Sequence, residues 1–158
     1  MLESLLTQLR SFIDTIAPSP ASVAQREAAA LQNACCSLLM EIARLDEAGS
    51  ASKREAVSRA MRELFELAPD EVAPMIANAA RQENRLVSYF RPVALINKRF
   101  APQRKVQFIE WLWRIAMADG SIDMYEEQLV RKLADLLYVE HSDFILARHR
   151  VRSSGEAA

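Results

Sequence analysis

Four carboxylates fall within the nine residues Asp119-Gly-Ser-Ile-Asp-Met-Tyr-Glu-Glu127. Asp123 and Glu127 stand four apart, so on a helix they share a face. Asp119 closes the apolar run before them and can turn toward that face. Clustered oxygen donors suit a hard divalent cation of the Ca²⁺ or Mg²⁺ type, so Asp119, Asp123, Glu126 and Glu127 are the leading candidate metal ligands. The segment is not an EF-hand, because its glycine stands second instead of sixth and the alternating ligands are missing. A second reading needs no ion. Asp119 can accept from turn N–H groups, Gly120 can supply a positive-φ residue, and Asp123 with Glu126 has capping-box spacing.

Other chemistry is sparse. The two histidines, His141 and His149, allow no Ser-His-Asp or Cys-His arrangement to be assembled, and no P-loop, dinucleotide fingerprint or zinc spacing occurs. His141 lies beside Glu140 and Asp143 and is a weaker metal candidate; its plainer role is to open a helix. His149 lies in Arg-His-Arg-Val-Arg, whose charge complements a helix C-terminus without calling for nucleic acid. Cys35 and Cys36 are adjacent, which on a helix sets their side chains about 100° apart, so reduced buried thiols are expected. Phe90, Phe108, Trp111 and Trp113 read as core; Trp111 and Trp113 point to different sides of a helix, which leaves room for one to be partly exposed at a partner surface.

The elements that must carry these residues are helices. The first spans about 2–16, with Leu2, Leu5, Leu6, Leu9, Phe12, Ile13 and Ile16 on one stripe. A second, from about Ala21 to Glu47, is apolar nearly all round in its latter half. Ser52-Lys-Arg-Glu55 has capping-box spacing for a third, with Val57, Met61, Leu64 and Phe65 inward. Pro69 opens a fourth, which ends near Glu83, and a fifth covers about 87–99. Pro102 opens a sixth, apolar helix that stops at Asp119-Gly120. Asp123 opens a seventh, with Leu129, Val130, Leu133, Leu136 and Leu137 inside. Ser142 can cap the last, through about Arg152, and 153–158 is expected to be a disordered tail.

Composition agrees. With 51% hydrophobic and 26% charged residues, only three glycines and six prolines, the chain has few turns and an ordinary globular balance. A compact all-α bundle of seven to eight helices in one domain over 1–152 is expected. A formal net charge of −1 gives no general attraction to nucleic acid or an anionic membrane. No apolar stretch reaches membrane-spanning length, and the N-terminus lacks the basic region of a secretory signal.

The chain also repeats itself, over about 30–67 and 104–139. Moved by 73 positions, Leu38, Leu39, Ile42, Ala43 and Asp46 fall on Trp111, Leu112, Ile115, Ala116 and Asp119; moved by 72, Val57, Met61, Leu64, Phe65 and Leu67 fall on Leu129, Leu133, Leu136, Leu137 and Val139. Each copy is a buried helix, an acidic turn and an amphipathic helix. Asp46, Glu47 and Glu55 thereby become weaker, first-copy metal candidates.

Residues 107–147 resemble the TerB family of tellurite-resistance proteins. The carrying features are Ala118-Asp119-Gly120, Ile122-Asp123, Glu126-Glu127, Leu136-Leu137, His141 and Asp143-Phe144. The likeness extends more weakly back to about residue 30. It implies an all-helical fold with two related halves, a cytoplasmic bacterial protein tied to tellurite and stress resistance, divalent-metal binding at the acidic turns, and no enzymatic activity. The first copy departs from the pattern: Asp46-Glu47-Ala48 stands where Asp-Gly is expected, and Lys53 and Arg54 add positive charge. The expected function is a non-enzymatic interaction module in tellurite or metal-stress response, with an unidentified protein partner, and the second acidic turn is its candidate site for a divalent cation. The alternatives are a ligand-free interaction module and a metal-assisted hydrolase.

Overall fold

The computed structural model describes residues 1–17, 19–44 and 51–156, and among these it has eight α-helices and no strand. They are α1 (Leu2–Ile16), α2 (Pro20–Arg44), α3 (Ala51–Phe65), α4 (Pro69–Ala80), α5 (Phe90–Arg99), α6 (Pro102–Ala116), α7 (Met124–Leu136) and α8 (His141–Glu156). The chain divides into two units, Met1–Ala30 and Leu31–Ala158. In the first unit, every member of the α1 apolar stripe is exposed. Ser19 closes the start of α2, its Oγ accepting from Ser22 N at 3.2 Å and its carbonyl from Val23 N at 3.0 Å.

In the second unit, α6 packs against α3, α7 and α8, and α3 packs against α4. The core repeats with the sequence. Cys35, Cys36, Leu38, Leu39, Met40, Ile42 and Ala43 of α2 are buried, and so are Phe108, Ile109, Trp111, Leu112, Trp113, Ile115 and Ala116 of α6, the same positions 73 residues on. Helices buried on so many sides must sit centrally, with the half-polar α3 and α7 outside them. Both tryptophans are buried, as their reading as core residues expects, and neither is left partly exposed. Trp113 packs on Phe144 at 5.3 Å between ring centroids, and Trp111 is covered by the Arg114 guanidinium at 4.4 Å.

Several helix limits differ from expectation for identifiable reasons. Helix α5 starts at Phe90 instead of 87, leaving Val87 and Phe90 exposed and Phe90 outside the core. Pro92 favours the late start, since in a helix's first turn a proline gives up no backbone hydrogen bond. Helix α4 stops at Ala80 and a single 3-10 turn, Gln82–Asn84, follows. Helix α3 begins at Ala51, so Ser52 lies inside its first turn and not at the cap. Likewise α8 begins at His141, which places Ser142 within it. It also continues to Glu156 instead of giving way to a loose tail: Val151 is buried, and Ser154 Oγ donates to the Arg150 carbonyl at 2.7 Å. Leu136, expected inside, is more than one-third exposed, because α7 ends there and the chain turns away.

Candidate functional site

The second acidic turn is built from the end of α6. Met117 N donates to the Trp113 carbonyl at 2.9 Å and Gly120 N to that of Met117 at 3.0 Å, after which Gly120 takes φ +88° and reverses the chain. Only glycine holds that conformation without strain. Asp119 Oδ1 accepts from Ser121 N at 3.1 Å, the local bond by which an aspartate mimics a backbone turn. Asp123 then opens α7 from an extended conformation, its Oδ1 accepting from Glu126 N at 2.8 Å. This is a helix N-cap, and it satisfies a backbone donor that would otherwise have no partner.

Glu126 does not complete a capping box, as its spacing suggested. Its carboxylate points inward, and Oε1 accepts from Lys53 Nζ at 2.6 Å. Both side chains are buried, Lys53 to 1% residual exposure and Glu126 to 2%. Asp119 Oδ2 lies 3.6 Å from the same ammonium. Glu126's second oxygen, Oε2, is buried without a hydrogen-bond partner among the described residues. Burial pushes the Glu126 pKa up; the Lys53 hydrogen bond and charge pull against that, while Asp123 and Asp119 push the same way as burial. The tie is charge-assisted, in a place where water does not screen it.

The remaining candidates lie apart from this pair. Glu127 bonds across to α8, meeting Arg148 Nη1 at 3.3 Å, and the Arg148 guanidinium lies over the Trp113 ring. Glu55 is exposed and pairs with Arg62 at 3.2 Å. His141 is exposed, its ring 5.9 Å from that of Phe144. Asp46 and Glu47 lie outside the described residues. Thus Asp119 and Glu126 converge on one nitrogen, Asp123 serves a helix end and Glu127 serves an interhelical ion pair. Among the described residues no group of three or more His, Cys, Asp or Glu side chains is placed to hold a metal ion. The second turn does not fit the divalent cation that the resemblance implies, because an ammonium is already hydrogen-bonded to its most buried carboxylate.

Lys53 is the residue that sequence reasoning missed as part of this site. The signal was present: Lys53, Val57, Ala60, Met61 and Leu64 follow the inward stripe of α3, and all five are buried. A lysine on such a stripe requires a buried partner. Glu41 is a similar case on α2, buried, with Oε1 accepting from Leu86 N at 3.3 Å and from Arg44 Nη1 at 3.4 Å. Cys35 and Cys36 are both free and buried; burial pushes the Cys36 thiol up to about 11 and Cys35 higher still. Thiols held protonated in this way are poor nucleophiles and poor metal ligands.

Comparison with family models matches the family described as tellurite resistance protein TerB, over residues 32–149. Comparison with curated proteins and with solved structures finds no match.

Proposed function

The chain belongs to the TerB family of tellurite-resistance proteins, and from that membership we propose that it works as a non-enzymatic interaction domain in the response to tellurite and metal stress. The observation that carries the reading is the exposed pair Met124 and Tyr125, 65% and 68% accessible, on the first turn of α7. Methionine and tyrosine are favoured at protein interfaces, where a polarizable chain and a ring give large contact area. The Asp123 cap holds their backbone, and the carboxylates around them are engaged in internal bonds. A rigid acidic turn presenting two large side chains suits recognition better than turnover.

The Lys53 contact with Glu126 and Asp119 supports the ion-free form of such a module over a cation-dependent one. A bacterial cytoplasmic setting is part of the proposal, and the two reduced, buried cysteines agree with it. No helix among the described residues is long and apolar enough to cross a membrane.

The test is affinity capture from tellurite-stressed cells with the wild type and a Met124→Ala, Tyr125→Ala variant. Proteins retained by the wild type and lost by the folded variant support the reading. Identical captures from both, or none from either, would remove it.

A further inference from the structure

We propose that Lys53 is the built-in cation of the second acidic turn: its ammonium occupies the place between Asp119 and Glu126 that a divalent ion would otherwise take. The inference deepens the ion-free reading above, yet it rests on the Lys53 geometry and not on partner binding.

Three observations carry it. The first is distance. Lys53 Nζ lies 2.6 Å from Glu126 Oε1 and 3.6 Å from Asp119 Oδ2, so one positive charge sits against carboxylates from both sides of the turn. The second is burial. The lysine side chain is 1% exposed, so its stem runs through the interior and its charge is delivered from the first copy of the repeat to the second. A buried ammonium persists only where anionic partners compensate it. The third is the spare oxygen. Glu126 Oε2 is buried with no hydrogen-bond partner among the described residues, so the carboxylate keeps coordinating capacity that the ammonium leaves unused.

A hard divalent ion takes at least six oxygen ligands and would have to displace or face a like charge within a few ångströms of Glu126. The lysine instead places its charge covalently, at no cost in ion concentration. The turn is thereby set permanently, whatever the supply of divalent cations. The same geometry implies a latent site: with the ammonium removed, the carboxylates of Asp119 and Glu126 still face the place it held.

The experiment follows thermal unfolding and amide NMR shifts of the full chain with Mg²⁺, Ca²⁺ or Mn²⁺ at up to about 10 mM, a range in which a ligand that binds the folded state raises the melting temperature. The wild type is expected to show no shift in melting temperature and no selective Mn²⁺ broadening at Asp119 and Glu126. Lys53→Ala is expected to gain several degrees on adding cation, and Lys53→Arg, which keeps the charge, to stay unresponsive. Cation binding by the wild type with signals displaced at Lys53 and Glu126 would overturn the proposal. So would a folded Lys53→Ala chain that no cation stabilises. Should Lys53→Ala fail to fold without and with cation, the wild-type measurement decides: silence supports the assignment and binding at Glu126 overturns it. Because the readout is the metal alone, failure here is distinct from a failure to capture partners.

Discussion

Glu66 and Tyr138 take the same left-handed backbone conformation, φ 53° and 57°, at the ends of α3 and α7. The two residues are equivalent in the repeat, and so are the bonds around them. Leu67 N donates to the Arg62 carbonyl at 3.2 Å, and Val139 N to the Ala134 carbonyl at 2.9 Å. These are the six-to-one bonds of a Schellman turn, which satisfy carbonyls that a helix end leaves open. The matched carbonyls of Leu64 and Leu136 are also closed by side chains, from Arg104 and from Asn97 respectively. The next helices then start in step, α4 at Pro69 and α8 at His141. The repeat is therefore a repeat of turn geometry as well as of apolar residues.

Neither turn has the glycine that this conformation favours. A left-handed conformation costs a residue with a Cβ about 1 kcal/mol. Glu66→Gly is expected to stabilise the chain by roughly 0.5–1 kcal/mol in urea unfolding, since glycine removes that strain at a helix end. Gly120→Ala is the converse. No atom lies within 4 Å of an added Cβ there, so its loss of about 1 kcal/mol would be purely conformational. A destabilised Glu66→Gly chain would show that the Glu66 side chain itself contributes.

Removing Lys53 should cost far more than any surface ion pair. Lys53→Met leaves Glu126 buried and uncompensated, and losing one partner of such a pair costs about 3–5 kcal/mol. The pH dependence has a definite sign. The folded-state pKa of Glu126 already lies above its ordinary value, because burial outweighs the Lys53 bond. The folded chain then binds a proton there more readily than the unfolded chain, so between the ordinary and raised values stability falls as pH rises. The variant loses both downward influences and its pKa rises further. Its deficit relative to wild type should be full above that new pKa and shrink as pH falls toward the ordinary carboxylate range. Urea titrations over pH about 4.5 to 8 check this, and a deficit that is flat with pH would exclude an ionised Glu126 as its cause.

The helices were legible because their apolar spacing, Pro69, Pro102 and the Asp119-Gly120 stop are all local signals. The second acidic turn was legible as a segment for the same reason. What each carboxylate does was not, since the partners come from distant helices: Lys53 for Glu126 and Arg148 for Glu127. Spacing alone gave Glu126 a reciprocal cap, but an interior ammonium attracts the carboxylate more strongly than a backbone N–H at the surface. The exposed stripe of α1 shows the other limit. Leu5, Leu9 and Phe12 mark an amphipathic helix in sequence, yet periodicity does not say whether anything covers it. Helix α5 begins later than its apolar residues suggest, with Pro92 in its first turn.

The Asp123 cap can be tested with Lys53, Glu126 and Asp119 all left in place. Asp123 Oδ1 accepts from Glu126 N, so Asp123→Ala should cost about 1 kcal/mol and Asp123→Asn or Asp123→Ser much less. Melting curves separate the three. Should Asn and Ser fare as badly as Ala, the charge of Asp123 would matter more than its role as acceptor.

The cysteines should behave as core and not as reagents. With Cys36 pushed up to about 11 and Cys35 beyond it, the thiolate fraction at neutral pH is very small, and both thiols are buried. Labelling by a disulfide reagent in native buffer should proceed only as fast as the chain opens, with full reaction of both thiols in denaturant. Rapid native labelling of Cys36 would mean that α2 opens locally.

The division of the chain gives the last test. Among the described residues, every member of the buried core and its partly buried margin lies at Leu31 or beyond, and the family match begins at residue 32. A chain beginning at Leu31 should therefore fold by itself with one cooperative transition, because it holds the whole of that buried core. Its melting temperature should lie within a few degrees of the full chain's, while the loss of the α1 stripe removes exposed apolar surface and should improve solubility at high concentration. Calorimetry and light scattering on both chains provide the comparison. A broad or absent transition in the shorter chain would mean that residues 1–30 stabilise the helical core, and the boundary at Ala30 would have to be abandoned as a folding boundary.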